Sequence, residues 1–220
     1  MLAASLLLGA LFALVGQIYQ TGADTYELFA VWAAAILPWA LVGRSPALWV
    51  LWLTLVNLAL SLYFLTFGSL WGMLFAPEKL IWLLFGLNTA ALAVWEGLAV
   101  AGIAWLRERW SVRILATAGG GLITALAVVD ILDWRTSSHW GAPLWCAWIA
   151  AAYVAYRHWV KDVYVLAGGV LSIIVVTTTF LAKQMQMREA GTFLFLGLLV
   201  IGMSAAGGYW LKRAATEEDT

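Results

Sequence analysis

Long apolar runs without charged side chains dominate this chain, and only short polar connections separate them. The first fifteen residues contain no charge, and the first basic residue is Arg44. Of the 220 residues, 64% are hydrophobic and 11% are charged, whereas a soluble domain carries about 25% charged residues. A soluble fold of this length has too little interior to bury so much apolar surface. Lipid must therefore be the solvent for most of the chain.

The apolar runs have the length of membrane-crossing helices. A helix rises about 1.5 Å per residue and the hydrocarbon core is about 30 Å thick, so one crossing takes about 20 residues. The runs are continuous rather than alternating, which favours helices over barrel strands. We predict an all-α polytopic transmembrane bundle with about eight membrane-spanning helices. The predicted spans are residues 2–20, 27–43, 47–67, 79–106, 112–132, 142–159, 163–182 and 191–211.

The connections are too short to hold a soluble domain. We predict one transmembrane domain over residues 1–213 and a short polar cytoplasmic tail over residues 214–220. Residues 11–44 and 123–157 both contain an apolar helix, a polar loop, a Trp- and Ala-rich helix and a closing arginine. This likeness suggests two parallel four-helix halves, residues 1–110 and 111–213, related by an axis along the membrane normal. The alternative is that any two apolar hairpins look alike.

Basic residues indicate the orientation, because Lys and Arg in short loops are retained in the cytoplasm. The loops on the side of the termini, together with the C-terminal segment, hold eight basic residues and the loops on the other side hold four. The eight are Arg44, Arg107, Arg109, Arg113, Arg157, Lys161, Lys212 and Arg213, and the four are Lys79, Arg135, Lys183 and Arg188. This bias predicts that both termini are cytoplasmic, which places the polar stretch at residues 16–29 on the outer side.

Charge and motif content narrow the function classes. The formal net charge is zero, so no electrostatic argument supports nucleic-acid binding. The single cysteine, Cys146, cannot form a disulfide within the chain, and its sequence context predicts a buried thiol. The sequence contains no HExxH, GxSxG, Walker or GxGxxG motif, and His139 and His158 fall on opposite predicted sides. These observations predict neither a metal nor a cofactor, and they favour a non-enzymatic protein over an enzyme.

Glu96 lies inside the fourth predicted span, in the segment ALAVWEGLAV, and Asn88 lies eight residues earlier on roughly the same helix face. Ionisable groups in a bilayer are costly, so a functional hypothesis is considered for them first. A buried carboxyl group could relay a proton or bind a cation. The structural alternative, which we favour, is that Glu96 stays protonated and donates one hydrogen bond between helices.

A second candidate site consists of polar residues at the outer ends of the predicted spans. They come from the opening polar stretch, the end of the fifth span and the end of the seventh. If these segments are neighbours, they form a polar mouth with charges of both signs. The alternative, which we favour, is three solvated loops that pair locally, with Asp24 as the N-cap of the second span. The mouth residues are Gln17, Tyr19, Gln20, Asp24, Glu27, Asp130, Asp133 and Lys183.

The opening stretch also carries a family resemblance. The segment GQIYQTGAD at residues 16–24, followed by YELF at residues 26–29, Trp32 and Pro38, resembles the predicted bacterial membrane proteins grouped as domain of unknown function 2157. The resemblance is specific over residues 11–43 and general beyond them. It implies a multi-span protein of the bacterial inner membrane, and a short member or a fragment, because many members carry a further N-terminal segment. It implies no reaction, ligand or catalytic residue.

Two functional hypotheses follow. The first is a protein that handles a small solute or an ion, with the outer mouth as the entry and Glu96 as a coupling group. The second is a non-catalytic scaffold or accessory subunit that binds other membrane proteins, or a second copy of itself, through faces rich in small residues or tryptophan. The lipid bilayer is the partner common to both hypotheses.

Overall fold

The computed structural model describes residues 1–19, 24–71, 77–132, 140–185 and 190–216, and within these ranges all of the regular structure is helical. Six of the helices, α2, α3, α4, α5, α7 and α8, are long and apolar enough to cross a membrane. The prediction of an all-α polytopic membrane bundle is therefore confirmed. The helices are α1 (Leu2–Tyr19), α2 (Thr25–Gly43), α3 (Pro46–Trp71), α4 (Pro77–Val100), α5 (Arg109–Leu132), α6 (Gly141–Val154), α7 (Val163–Gln184) and α8 (Ala190–Thr216).

The fourth predicted span, residues 79–106, is shorter in the structure. The helix α4 ends at Val100, and a turn at residues 101–102 leads into a short 3-10 helix, Ala104–Leu106. Gly102 has a φ of +99°, a backbone conformation that glycine adopts without a steric penalty. The indole Nε1 of Trp95 donates to the carbonyl of Leu106 over 3.1 Å, so this short helix is held against the end of α4. The 24 residues of α4 already suffice for one crossing, and the apolar segment that follows is used for packing.

The chain divides into two compact units, Met1–Val112 and Arg113–Thr220. The most extensive helix pair is α2 with α3 in the first unit and α7 with α8 in the second. The suggested duplication of the two halves stays a prediction. The helix α8 continues to Thr216, so the first three residues of the predicted polar tail are helical. The prediction of a buried Cys146 is wrong, because this residue lies on an exposed face of α6.

A glycine in α1 allows α2 to approach closely. A Cβ atom added to Gly9 would lie 2.3 Å from ring atoms of Trp32. The same indole donates its Nε1–H to the carbonyl oxygen of Ser5 over 2.8 Å. Trp32 also packs against the buried cluster of α2 and α3 that includes Ile36 and Leu55. A single tryptophan thus joins α1 to the core of the first unit, and a glycine leaves room for its ring.

We expect Gly9→Ala to destabilise the first unit, because the added methyl group displaces the Trp32 ring and overpacking costs about 1–3 kcal/mol. Gly16→Ala is the matched control, since it lies in the same helix and its added Cβ meets nothing within 4 Å. Alanine is the better helix former by about 1 kcal/mol, so Gly16→Ala should leave the melting temperature unchanged or raise it. Thermal unfolding in detergent, followed by near-UV circular dichroism, measures both. Equal melting temperatures for the two variants would contradict the close packing.

Candidate functional site

Glu96 forms an ion pair with the first residue of the next long helix. Arg109 donates through Nη1 to both carboxylate oxygens, at 3.1 Å and 3.3 Å. Glu96 lies four residues before the end of α4, and its side chain is 18% exposed. A paired carboxylate near a helix end is far less costly than an isolated one at mid-membrane. The pair closes the connection from α4 to α5, and the predicted role of Glu96 as a coupling group stays a prediction.

Asn88 is 3% exposed and pairs with Asn57 of α3. The Nδ2 of Asn88 donates to Oδ1 of Asn57 over 2.6 Å, and the Nδ2 of Asn57 donates back over 3.3 Å. Each Nδ2 also donates to the carbonyl four residues earlier, Leu84 or Leu53. Both N–H donors of each amide are therefore used, and the pair links α3 to α4. Sequence reasoning missed Asn57, although two asparagines in consecutive spans were a readable signal.

The described part of the opening stretch has local contacts. Gln17 is exposed near the end of α1, and Tyr19 is the last residue of that helix. Asp24 holds the N-cap position of α2, but its carboxylate makes no cap hydrogen bond, and its backbone oxygen accepts from the Glu27 N–H over 3.0 Å. The Glu27 carboxylate accepts from the Tyr26 hydroxyl over 3.3 Å. Gln20 lies outside the described residues.

Two of the other predicted mouth residues are close together in the second unit. The Oδ2 of Asp130 accepts from the N–H of Ala142 at the start of α6 over 3.1 Å, and the Nζ of Lys183 donates to the carbonyl oxygen of Ile131. A Cβ on Gly141 would lie 2.7 Å from Asp130 Oδ2, so glycine permits this approach. Asp133 lies outside the described residues. A mouth that also includes the opening stretch, which belongs to the first unit, stays a prediction.

A groove of about 440 Å³ runs along α5 and α7 of the second unit, with Trp148 of α6 at its side. Small residues form much of its floor. The ring of Trp148 lies against Gly120, where a Cβ would stand 3.0 Å from it. The lining residues are Ala116, Thr117, Gly120, Gly121, Thr124, Trp148, Tyr164, Val165, Ala167, Gly168, Gly169, Leu171, Ser172 and Val175.

Three side chains at one end of this groove form a directional chain of hydrogen bonds. Trp145 Nε1 donates to Ser172 Oγ over 2.8 Å, Ser172 and Thr124 share a 2.6 Å contact, and Thr124 Oγ1 donates to the Gly120 carbonyl over 2.6 Å. An indole only donates and a carbonyl only accepts. The proton between the hydroxyls must therefore belong to Ser172. The N–H and O–H donors of these three side chains are all spent within the protein, and the chain ties α5, α6 and α7 together.

Charged residues lie just beyond the other end of the groove, next to its lining residue Tyr164. Asp162, with a side chain only 1% exposed, accepts from the Tyr164 backbone N–H over 3.0 Å and from Arg113 Nε over 3.2 Å. The Arg113 guanidinium lies 5.6 Å from the centre of the Tyr164 ring, within cation–π range. The Tyr164 hydroxyl and Thr117 Oγ1 are 3.2 Å apart at the rim. The side chain of Arg113 remains 46% exposed.

The backbone that leads to Asp162 is irregular. A π-helix, Ala155–Trp159, follows α6, and the N–H of Asp162 donates to the carbonyl of Tyr156 over 3.2 Å. Lys161 has a φ of +42°, which is uncommon for a residue with a side chain. π-Helices and such strained residues occur often at functional sites. Sequence reasoning missed this site, because small residues in a helix are equally typical of helix packing and no motif marks Asp162.

A second groove of about 420 Å³ lies on α6, α7 and α8. Apolar side chains and small residues dominate its lining, and Gly207 makes room for Val170, whose Cγ1 would lie 2.4 Å from an added Cβ. Tyr153 and Trp210 are packed at 6.1 Å between ring centres. Neither of these two grooves includes Glu96.

These features define a helical membrane protein with polar pairs between helices and a groove charged at one end. The family described as "Predicted membrane protein (DUF2157)" has a model that matches residues 1–49, which confirms the resemblance seen in the opening stretch. No curated protein and no solved structure matches the chain. The family match covers α1, α2 and the start of α3 and does not extend to the groove.

The paired amides generate a test. Asn88→Leu should leave the Oδ1 of Asn57 without its donor and lower the free energy of unfolding by about 1 kcal/mol, within the range for hydrogen bonds between membrane helices. The double variant Asn57→Leu/Asn88→Leu should lie nearer to wild type, because it leaves no amide stranded. Unfolding in mixed micelles of increasing SDS content measures all three. If the double variant loses about twice as much free energy of unfolding as Asn88→Leu, the pairing is contradicted.

Proposed function

We propose that the protein handles a small molecule and that this molecule binds in the groove along α5 and α7. The observation that carries this proposal is the combination of a groove of about 440 Å³ with a charged end and a strained backbone beside it. Small-molecule sites are typically concave and mostly apolar, with volumes of about 300–1,000 Å³ and a few placed polar groups. The groove has these properties.

The groove is a better candidate than the outer mouth or Glu96. Glu96 has Arg109 as its partner, Asp130 holds the first turn of α6, and Lys183 is bonded to a carbonyl. Each of these side chains thus has a structural reason for its position. The groove is lined by hydroxyl, indole and phenol groups but by no carboxylate or imidazole, which supports binding rather than acid–base chemistry.

The proposed setting is the bacterial inner membrane, with both termini in the cytoplasm. The bias of basic residues supports this orientation, and the family match supports a membrane location. In this orientation, Arg113 and Asp162 lie at the cytoplasmic ends of α5 and α7. The charged end of the groove then faces the cytoplasmic headgroups.

A scaffold function remains the second candidate, and α8 is the observation that favours it. Its spanning segment is the least buried of the six, with 11% of its apolar window buried. Glycines along it, such as Gly202 and Gly208, are exposed and would let another helix approach closely. Affinity purification from native membranes that reproducibly recovers one membrane protein, and loses it when Gly202 is changed to Leu, would support this candidate.

Blocking the groove tests the first candidate. We expect Gly121→Phe to fill it, because Gly121 is exposed on the lining and its added Cβ meets nothing within 4 Å. Wild type purified from membranes should retain a small molecule through mild delipidation, and the variant should lose it. Native mass spectrometry of the released protein measures the retained mass.

Gly197→Phe is the control for this experiment. Gly197 lies in α8 of the same unit, its added Cβ also meets nothing within 4 Å, and it lines neither groove. The control should retain the molecule as wild type does. Equal retention by wild type and Gly121→Phe would refute the groove as the binding site.

A further inference from the structure

We propose that the occupant of the groove is an anionic membrane phospholipid, with one acyl chain along α5 and α7 and its phosphate at Arg113. This assignment rests on the proposed function, because it names the ligand class of the same groove. Three properties of the groove carry it: its length, the distribution of its hydrogen-bond donors, and the charge at its end.

The groove has the length of one lipid leaflet. On α7 it extends from Tyr164 to Val175, and eleven residues of helix rise about 16 Å. The hydrocarbon core is about 30 Å thick, so the groove reaches from one membrane face to about the bilayer centre. Leu171 and Val175, which line it, are exposed, so the groove is open along its side to the lipid phase. A chain can enter from the bilayer without crossing the protein.

The inner end of the groove fits a hydrocarbon chain better than a polar solute. The chain of hydrogen bonds from Trp145 through Ser172 and Thr124 to the Gly120 carbonyl uses its N–H and O–H donors within the protein. A polar solute placed there would lose its water and find no free donor among these three side chains, which is costly. An acyl chain has no hydrogen-bonding groups that need partners, and it gains van der Waals contact with the small residues of the groove floor.

The rim supplies the charge for a phosphate. Arg113 donates its Nε–H to Asp162, and Nε–H is one of five guanidinium donors. The Arg113 side chain remains 46% exposed, so its other donors can reach a phosphate. Guanidinium groups bind phosphate well because their forked donors match its oxygens. The Tyr164 hydroxyl at the rim adds a neutral polar group.

The test uses vesicles of phosphatidylglycerol and phosphatidylcholine in equal amounts, with identical acyl chains. The protein is reconstituted, extracted under mild delipidation and weighed by native mass spectrometry. Both lipids carry a phosphate, but phosphatidylcholine also places a quaternary ammonium beside Arg113, and like charges repel. Wild type should therefore retain phosphatidylglycerol over phosphatidylcholine by about tenfold. Gly121→Phe should retain neither lipid above the background of nonspecific retention, whereas Gly197→Phe should behave as wild type.

Two variants test the charge. Asp162→Asn removes the counter-charge but keeps a side chain suited to cap α7, so selectivity for phosphatidylglycerol should stay or rise. Arg113→Gln/Asp162→Asn removes both charges without leaving a buried carboxylate unpaired, and its selectivity should fall to about one. Far-UV circular dichroism verifies that each variant is folded. If the double variant does not fold, a fall in selectivity for Asp162→Asn alone overturns the proposal.

The outcomes separate this inference from the proposed function. Equal retention of both lipids by wild type, abolished by Gly121→Phe, overturns the anionic assignment and leaves the groove as a binding site. Retention that Gly121→Phe does not change overturns both proposals. Undiminished selectivity in Arg113→Gln/Asp162→Asn overturns the assignment of the phosphate to Arg113.

Discussion

The absence of water in the hydrocarbon core is the constraint on which the rest of the structure depends. Each polar group inside a span must find a partner within the protein, since lipid supplies none. Hydroxyls meet this demand locally: Thr54, Ser61 and Thr179 each donate to the carbonyl four residues earlier, at 2.8 Å. Longer side chains reach a neighbouring helix instead, and those contacts define the architecture. The buried polar atoms Trp49 Nε1, Thr89 Oγ1 and Thr178 Oγ1 have no partner within the described residues, and nothing in the structure explains them.

The contacts between helices differ between the two units. In the first unit, Trp32 binds the α1 backbone, Asn57 pairs with Asn88, and Glu96 pairs with Arg109. Each contact joins two helices that are consecutive in the chain, so each fixes one hairpin. In the second unit, Ser172 of α7 joins both α5 and α6, and Arg113 of α5 bonds Asp162 at the start of α7. The contacts of Thr124 and Arg113 join α5 to α7 and so skip α6. The groove lies along these two helices.

The order of the helices could be predicted from the sequence because apolar run length reports on membrane thickness. Of the eight predicted spans, six correspond to described helices long and apolar enough to cross a membrane, whereas α6 has only 14 residues. The predicted and observed helix bounds agree within five residues except at the fourth span, where hydropathy continues past the point at which Gly102 turns the chain. The partners of the polar residues could not be predicted. Glu96 looked isolated because hydropathy is read along one helix, whereas its partner Arg109 lies beyond a turn. Gln20 and Asp133 fall outside the described residues, so their predicted place in a mouth stays a prediction.

The glycines of α5 and α7 show why a groove is harder to predict than a helix. Gly120 lies against the Trp148 ring, whereas Cβ atoms on Gly121 and Gly168 would meet nothing within 4 Å. The first is a packing glycine, and the other two leave space that no side chain of this unit fills. The sequence predicts the same role for all three glycines, since a small residue permits either close packing of a neighbouring helix or an open surface. Only the positions of the neighbouring helices separate the two cases. The open space lies between a hydrogen-bonded inner end and a cationic rim, so the same small residues that are usually assigned to helix packing serve here as the floor of a groove.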